Sequence, residues 1–241
     1  MKSISAPLLA TKFYLPLPAP ERVPRPRLVE ALENGLRQAN GFRRKLTLVS
    51  APAGYGKTTL VADWLTSSSS PHPAQVAWLS LDEGDNDPAL FLAYLIAALQ
   101  GVEAHIGQTA LSILHAPQPP PDAILLTTLV NDLAAITAPL ILVLDDYHSL
   151  KSPPTHQRLA FLLEHLPPQV HLVLLSREDP LLPLAQLRAR GQLLEIRQDD
   201  LRFTAAESAD FLQRVRGLSL SSAQVNALER HTEGWIAGLQ L

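Results

Sequence analysis

The chain has no cysteine. That excludes a disulfide framework, a cysteine-based zinc site and a cysteine nucleophile. Glycine is scarce, with 11 in 241 residues, and aromatic side chains make up only 5%. An excess of one charge is missing too: 20 Lys and Arg stand against 23 Asp and Glu, a formal net charge of −3. So even a balance leaves no basic footprint for direct nucleic-acid binding over these residues. The longest apolar run, about residues 91–99, is far short of the roughly 20 residues that span a bilayer. The N-terminal apolar stretch is broken by Pro7 and followed by Lys12, which makes a poor secretory signal. The eight His show no His-x-x-x-His spacing, and no Gly-x-Ser-x-Gly elbow is present to support a serine hydrolase. With 46% hydrophobic and 18% charged residues the composition is not that of a disordered chain. A cytoplasmic protein with no membrane contact is expected, with a core large enough for one domain or one and a half.

Proline is what the chain has in excess: 21 residues, against roughly 5% in average usage. Inside a helix or a central strand a proline costs about 3 kcal/mol, so proline clusters mark boundaries. Between them lie two kinds of apolar segment. Short runs rich in Val, Ile and Leu predict buried strands at Leu46–Ser50, 75–81, Leu140–Asp145, Val170–Ser176 and Leu193–Arg197. Segments with helical spacing occupy 58–65, 88–99, 122–136, 153–166 and 182–190, and Asp87-Pro88 is a good helix start. Strands apolar on both faces and alternating with helices predict an α/β fold with a parallel sheet covered on both sides. No proline follows Pro183. There Thr204 with Glu207 and Ser221 with Gln224 have capping-box spacing. The expected division is an N-terminal arm and first helix (1–44), an α/β core (45–200) and a helical subdomain (201–241) that ends as an unfinished helix.

The strongest signal is the segment Ala51-Pro-Ala-Gly-Tyr-Gly-Lys-Thr-Thr59, between a predicted strand and a predicted helix. It is a Walker A phosphate loop with Ala51 in place of the first glycine. Backbone N–H groups over Ala53, Gly54, Tyr55, Gly56, Lys57, Thr58 and Thr59 would face phosphate oxygens at a helix N-terminus. Gly54 and Gly56 let the backbone wrap them. Lys57 would reach the β- and γ-phosphates, and the Thr58 hydroxyl would take a Mg²⁺ position. The second acid such a site needs is at the end of Leu140-Ile-Leu-Val-Leu-Asp-Asp146. Asp145 is expected to bind Mg²⁺, and Asp146 to orient or deprotonate the attacking water. Arg177 follows the next strand, either as a γ-phosphate sensor or as a surface partner of Glu178 or Asp179. Walker A on the first strand, Walker B two strands later and a polar sensor on the next suggest the P-loop NTPase sheet order 5-1-4-3-2, with ligand at the carboxyl ends of the strands.

Further motifs run in the order of one family: Trp78-Leu-Ser-Leu-Asp-Glu-Gly-Asp-Asn86, Leu144-Asp-Asp-Tyr-His148, Leu174-Leu-Ser-Arg-Glu-Asp-Pro180, Leu187-Arg-Ala-Arg-Gly191, Leu201-Arg-Phe-Thr204 and Thr232-Glu-Gly-Trp-Ile-Ala-Gly-Leu-Gln240. Together they resemble, over essentially the whole chain, the N-terminal ATPase domain of MalT-like, LuxR-type large ATP-binding regulators of the STAND class. The resemblance implies a switch that holds ADP at rest, exchanges it for ATP with Mg²⁺ when a C-terminal sensor domain binds an inducer, and then self-associates. Promoter binding would belong to a helix-turn-helix beyond residue 241. The resemblance also assigns Arg177 as the sensor and lays 22–27 along the adenine and ribose, with Val23 and Arg25 in contact; a Pro-rich surface arm is the alternative for that segment. At Gly238-Leu239-Gln240 a Gln stands where related switches have the proline that packs near adenine.

Some readings stay open. Asp82-Glu-Gly-Asp-Asn-Asp87 either lines the Mg²⁺ side of the site or forms a turn and a helix cap. Trp64 and Trp78 belong to the core, and Trp235 to the helical subdomain or its hinge. A turnover P-loop enzyme, an AAA+-type motor or a small-molecule kinase, is the rival to the switch.

Overall fold

A computed structural model describes residues 7–17, 21–38, 41–66, 74–116, 118, 120–218, 220–232 and 234–239. The polar loop of 67–73 and Gln240 lie outside the described residues. A short helix α1 (Pro26–Leu36) and a two-stranded antiparallel ribbon, β1 (Arg37–Gln38) and β2 (Gly41–Phe42), lead into the main sheet. Its strands are β3 (Leu46–Ser50), β4 (Gln75–Ser80), β5 (Leu140–Asp145), β6 (Val170–Ser176) and β7 (Leu193–Arg197). All pairings are parallel, in the order β4-β5-β6-β3-β7. Counted among the five parallel strands alone, this is 2-3-4-1-5, which read from the other edge is the expected 5-1-4-3-2.

The chain therefore folds as an α/β P-loop NTPase, and alternation along the strands shows why. Leu46, Leu48, Leu140, Leu142, Leu144, Leu172 and Leu174 face one core with α3 (Pro88–Gln100), α5 (Asp122–Ala135) and α6 (Pro153–Glu164). Their neighbours Val49, Trp78, Ile141, Val143, Val173 and Leu175 face the other, with α1 and α2 (Lys57–Thr66). Period-two alternation puts successive side chains on opposite faces, so strands apolar throughout need helices on both sides. The fully buried Trp64 and nearly buried Trp78 lie in the second core, as expected.

Helix α3 begins at Pro88, with the Asp87 carboxylate accepting from the N–H groups of Ala89 and Leu90. Helix α4 (Gln108–Leu114) was not visible in the sequence. Only seven residues long, it buries just Ala110 and Leu114 and starts after a left-handed Gly107 rather than a side-chain cap. Helix α7 runs over Leu184–Ala189, shorter than the expected 182–190, because Pro183 holds its N-terminus. A four-residue helix, α8 (Gln198–Leu201), follows β7. Beyond it, α9 (Ala205–Asp210) starts with the Thr204–Glu207 capping box, and α10 (Ser222–Thr232) follows. A third small core joins Phe203, Phe211, Leu212 and Val225 to Val23 of the N-terminal arm.

Candidate functional site

The phosphate loop leaves β3, whose five residues are all buried, at the carboxyl edge of the sheet. Gly54 and Gly56 have φ of +82° and +74°, the left-handed region that side chains with a Cβ avoid. Ala51 is not among the positive-φ residues, so replacing the first glycine with alanine introduces no strain. Helix α2 then begins at Lys57; the N–H groups of a first helical turn have no intrahelical acceptor, an arrangement that suits an anion. Among the described residues none of the N–H groups of Gly54 to Thr58 donates to a protein acceptor. The Lys57 ammonium donates to the carbonyls of Ala51 at 2.7 Å and Pro52 at 3.0 Å. Burial lowers its pKa, and neighbouring Asp146 counters this.

Next to the loop, β5 ends in the acid pair. The Thr58 hydroxyl donates to the Asp145 carboxylate at 3.0 Å, and the Asp146 N–H donates to it at 2.9 Å. Asp145 is 5% exposed. Burial, reinforced by Asp146, pushes its pKa up to about 6. A buried carboxylate without a cation, bonded to the hydroxyl beside it, suits a divalent ion that keeps most of its water shell. Among the described residues no group of three or more His, Asp or Glu could hold a metal unaided. Asp146 is the one described non-glycine residue with positive φ, +54°, a conformation that Asp tolerates better than most. Its carboxylate is half-exposed and lies 3.7 Å from His148 Nδ1. Burial, then the charge of Arg177, lowers the pKa of His148.

Arg177 is exposed at the end of β6. It lines an open cleft of about 510 Å³ with Ser50, Ala51, Pro52, Arg197 and Arg202. Its alternative surface partners are engaged elsewhere: Glu178 with Lys151, and Asp179 with Arg197. Lys57, Thr58, Asp145, Asp146 and Arg177 thus converge at one carboxyl edge.

Val23 and Arg25 lie apart from this group. Val23 is buried in the third core. The Arg25 guanidinium donates to the carbonyls of Leu201 and Arg202, both at 2.9 Å, pairs with Glu207, and stacks 4.9 Å from the centre of the Phe203 ring. In this arrangement both residues fasten the arm to the helical subdomain.

The acids after β4 resolve as turn and cap. Asp82 and Asp85 form a capping box around a 3-10 turn, Glu83–Asn86. Lys12 reaches in from the arm to contact Asp82 at 2.8 Å and Asp85 at 2.7 Å. Asn86 donates to the carbonyls of Glu83 and Ser149 and accepts from the N–H groups of Lys151 and Ser152. The motif therefore ties the arm to the loop that follows the acid pair.

Trp235 is not part of the small helical core: it packs, partly buried, against the second core of the sheet. Its indole N–H donates to the carbonyl of Ala53 at 3.0 Å. The Ala237 N–H donates to the carbonyl of Gly54 at 3.2 Å. A Cβ on Gly54 would lie 2.5 Å from the Ala237 Cβ, so this glycine makes room for the C-terminal segment. Nothing in the sequence pattern signals a contact spanning some 180 residues. Gln198, which donates to the Tyr55 hydroxyl at 2.9 Å, was also missed.

Residues 23–175 match the AAA ATPase domain family. The chain belongs to that family. Along 97% of its length it is also 39% identical to the HTH-type transcriptional regulator MalT of Cronobacter sakazakii, of which it covers 25%. The chain thus spans about a quarter of this relative, and the similarity falls on the MalT-like ATPase domain. Among solved structures, Cdc6p from Pyrobaculum aerophilum aligns with a TM-score of 0.54 over 87% of this chain and 56% of the other. At 19% identity that likeness supports the fold alone. The AAA ATPase fold implies nucleotide binding. Among the described residues no helix is long and apolar enough to cross a membrane.

Proposed function

We propose that this chain is the ATP/ADP-binding switch domain of a longer, signal-responsive transcriptional regulator. The observation that carries the reading is the convergence of Lys57, Thr58, Asp145 and Arg177 at one sheet edge, in a chain 39% identical to the MalT regulator. Residues 53–59 hold the phosphates through their N–H groups. Lys57 leaves the Ala51 and Pro52 carbonyls to meet the β- and γ-phosphates. Thr58 and Asp145 hold Mg²⁺, which neutralises phosphate charge when bound. Asp146 orients the attacking water for slow hydrolysis, and Arg177 distinguishes ATP from ADP. Sensor and DNA-binding domains of the longer protein, and self-association in the ATP form, complete the switch.

The test is the nucleotide content of the purified protein, followed by calorimetry with ATP and ADP. Tight binding that Lys57→Ala abolishes supports the reading, and no binding of either nucleotide overturns it. Steady-state turnover well above about 1 s⁻¹, the range usual for metabolic enzymes, identifies a turnover ATPase instead.

A further inference from the structure

Four consecutive carbonyls of the phosphate loop accept hydrogen bonds from two different sources. Lys57 holds those of Ala51 and Pro52, and the C-terminal segment holds those of Ala53 and Gly54. Among the described residues no peptide bond is cis. In a planar trans peptide the C=O and N–H point in opposite directions. Fixing the Ala53 carbonyl from outside therefore aims the Gly54 N–H inward, and fixing the Gly54 carbonyl does the same for the Tyr55 N–H. These are two of the donors that a phosphate group would meet.

The two sources differ in one respect. Lys57 must release its carbonyls to reach a phosphate, whereas Trp235 and the Ala237 amide have no such second task. They can hold the loop while Lys57 moves. The approach is close enough that only a glycine fits at position 54: a Cβ there would be 2.7 Å from Trp235 Nε1 as well as 2.5 Å from Ala237. At Gly56 a Cβ would come within 3.1 Å of Ile236 Cδ1. The segment 235–237 is thus fitted closely against the loop at Ala53, Gly54 and Gly56.

We propose that Trp235 and the Ala237 amide are positioning groups for the phosphate site: they hold the Ala53 and Gly54 carbonyls so that the loop's N–H groups face the nucleotide's phosphates. The helical subdomain thereby senses the state of the phosphate loop directly. The inference rests on the nucleotide-binding reading above and adds a role for residues outside the Walker motifs.

Trp235→Phe keeps an aromatic ring and removes the donor. Binding of ADP and of inorganic tripolyphosphate should both weaken, about 3- to 10-fold for one lost hydrogen bond. Amide exchange at Gly54 and Tyr55 should speed up, while the unfolding midpoint of the nucleotide-free protein stays put. Unchanged affinities overturn the proposal. So does a loss for ADP that spares tripolyphosphate, since that places Trp235 against base or sugar. A fall in the nucleotide-free midpoint that accounts for the whole loss overturns it as well, because the role is then structural only. A wild-type protein that binds neither ligand overturns the nucleotide reading itself, and this inference with it.

Discussion

Two acidic clusters follow neighbouring strands at the same edge of the sheet, and they are resolved in opposite ways. After β4, Asp85 is fully buried and bonded by Lys12 at 2.7 Å, under a ring contact between Lys12 and Tyr94. After β5, Asp145 is nearly as buried, yet its bonds come from a hydroxyl and a peptide N–H, both neutral. The first cluster is neutralised by the protein itself and is architecture. The second is bonded by neutral groups, with the Lys57 charge only near it, and is where the proposed function puts Mg²⁺. Acid density in the sequence does not separate them; the presence of a partner charge does, because an uncompensated buried carboxylate shifts its pKa instead of staying ionised.

The largest expected effect comes from removing that partner. Lys12→Met should destabilise the protein by about 3–5 kcal/mol in denaturant unfolding, since it strands a buried charge, and adding Asp85→Asn should restore much of the loss. Burial alone would lower the Lys12 pKa, but the Asp82 and Asp85 carboxylates hold it above the usual lysine value. The contribution of Lys12 is therefore present below about pH 10.5 and is lost only as pH rises through the raised value.

Asp145 should also lose stability as pH rises, but over a lower window. Its folded pKa of about 6 stands above the ordinary aspartate value of 3.8. The nucleotide-free protein is thus stabilised by the proton at low pH and loses that stability as pH rises from about 4 through 6, by roughly 3 kcal/mol at most. Asp145→Asn should flatten this slope in pH-dependent unfolding and raise stability at pH 7. A wild-type slope unaltered by the substitution would show that Asp145 is not the uncompensated acid.

A smaller effect is expected at Asn86, where the two clusters meet through the 149–152 loop. Asn86→Ala removes four hydrogen bonds from one side chain and should cost about 1–3 kcal/mol, with faster amide exchange at Lys151 and Ser152. The smallest effect on stability is expected at Arg177, which is exposed. Arg177→Ala should change stability by less than about 0.5 kcal/mol while reducing the preference for ATP over ADP in calorimetry. Equal loss for both nucleotides would remove its sensor role.

The strands and the phosphate loop were legible because their signals are local. Val, Ile and Leu runs between prolines mark β3, β5 and β6, and Gly54, Gly56 and Lys57 sit at a strand-to-helix junction. The helix Gln108–Leu114 was not legible, since seven residues with two buried positions carry too little periodicity. The role of the Asp82–Asp87 acids was open in the sequence and needed Lys12, some 70 residues away, to resolve it. The resemblance lays Arg25 along the nucleotide with a surface arm as the alternative, and its bonds to the Leu201 and Arg202 carbonyls were not legible.

By itself, then, the sequence determined the α/β class, the strands and the Gly-Lys-Thr loop at a strand-to-helix junction, because hydrophobic period, proline placement and glycine-lysine spacing act over a few neighbouring residues; the strand order followed from the sequence of motifs along the strands. Only the tertiary structure decided which acids are neutralised, where Arg25 is spent, and that Trp235 and Ala237 brace the phosphate loop. Each of those depends on a charge or a donor brought from a distant part of the chain, and pairing of that kind leaves no periodic mark on either segment.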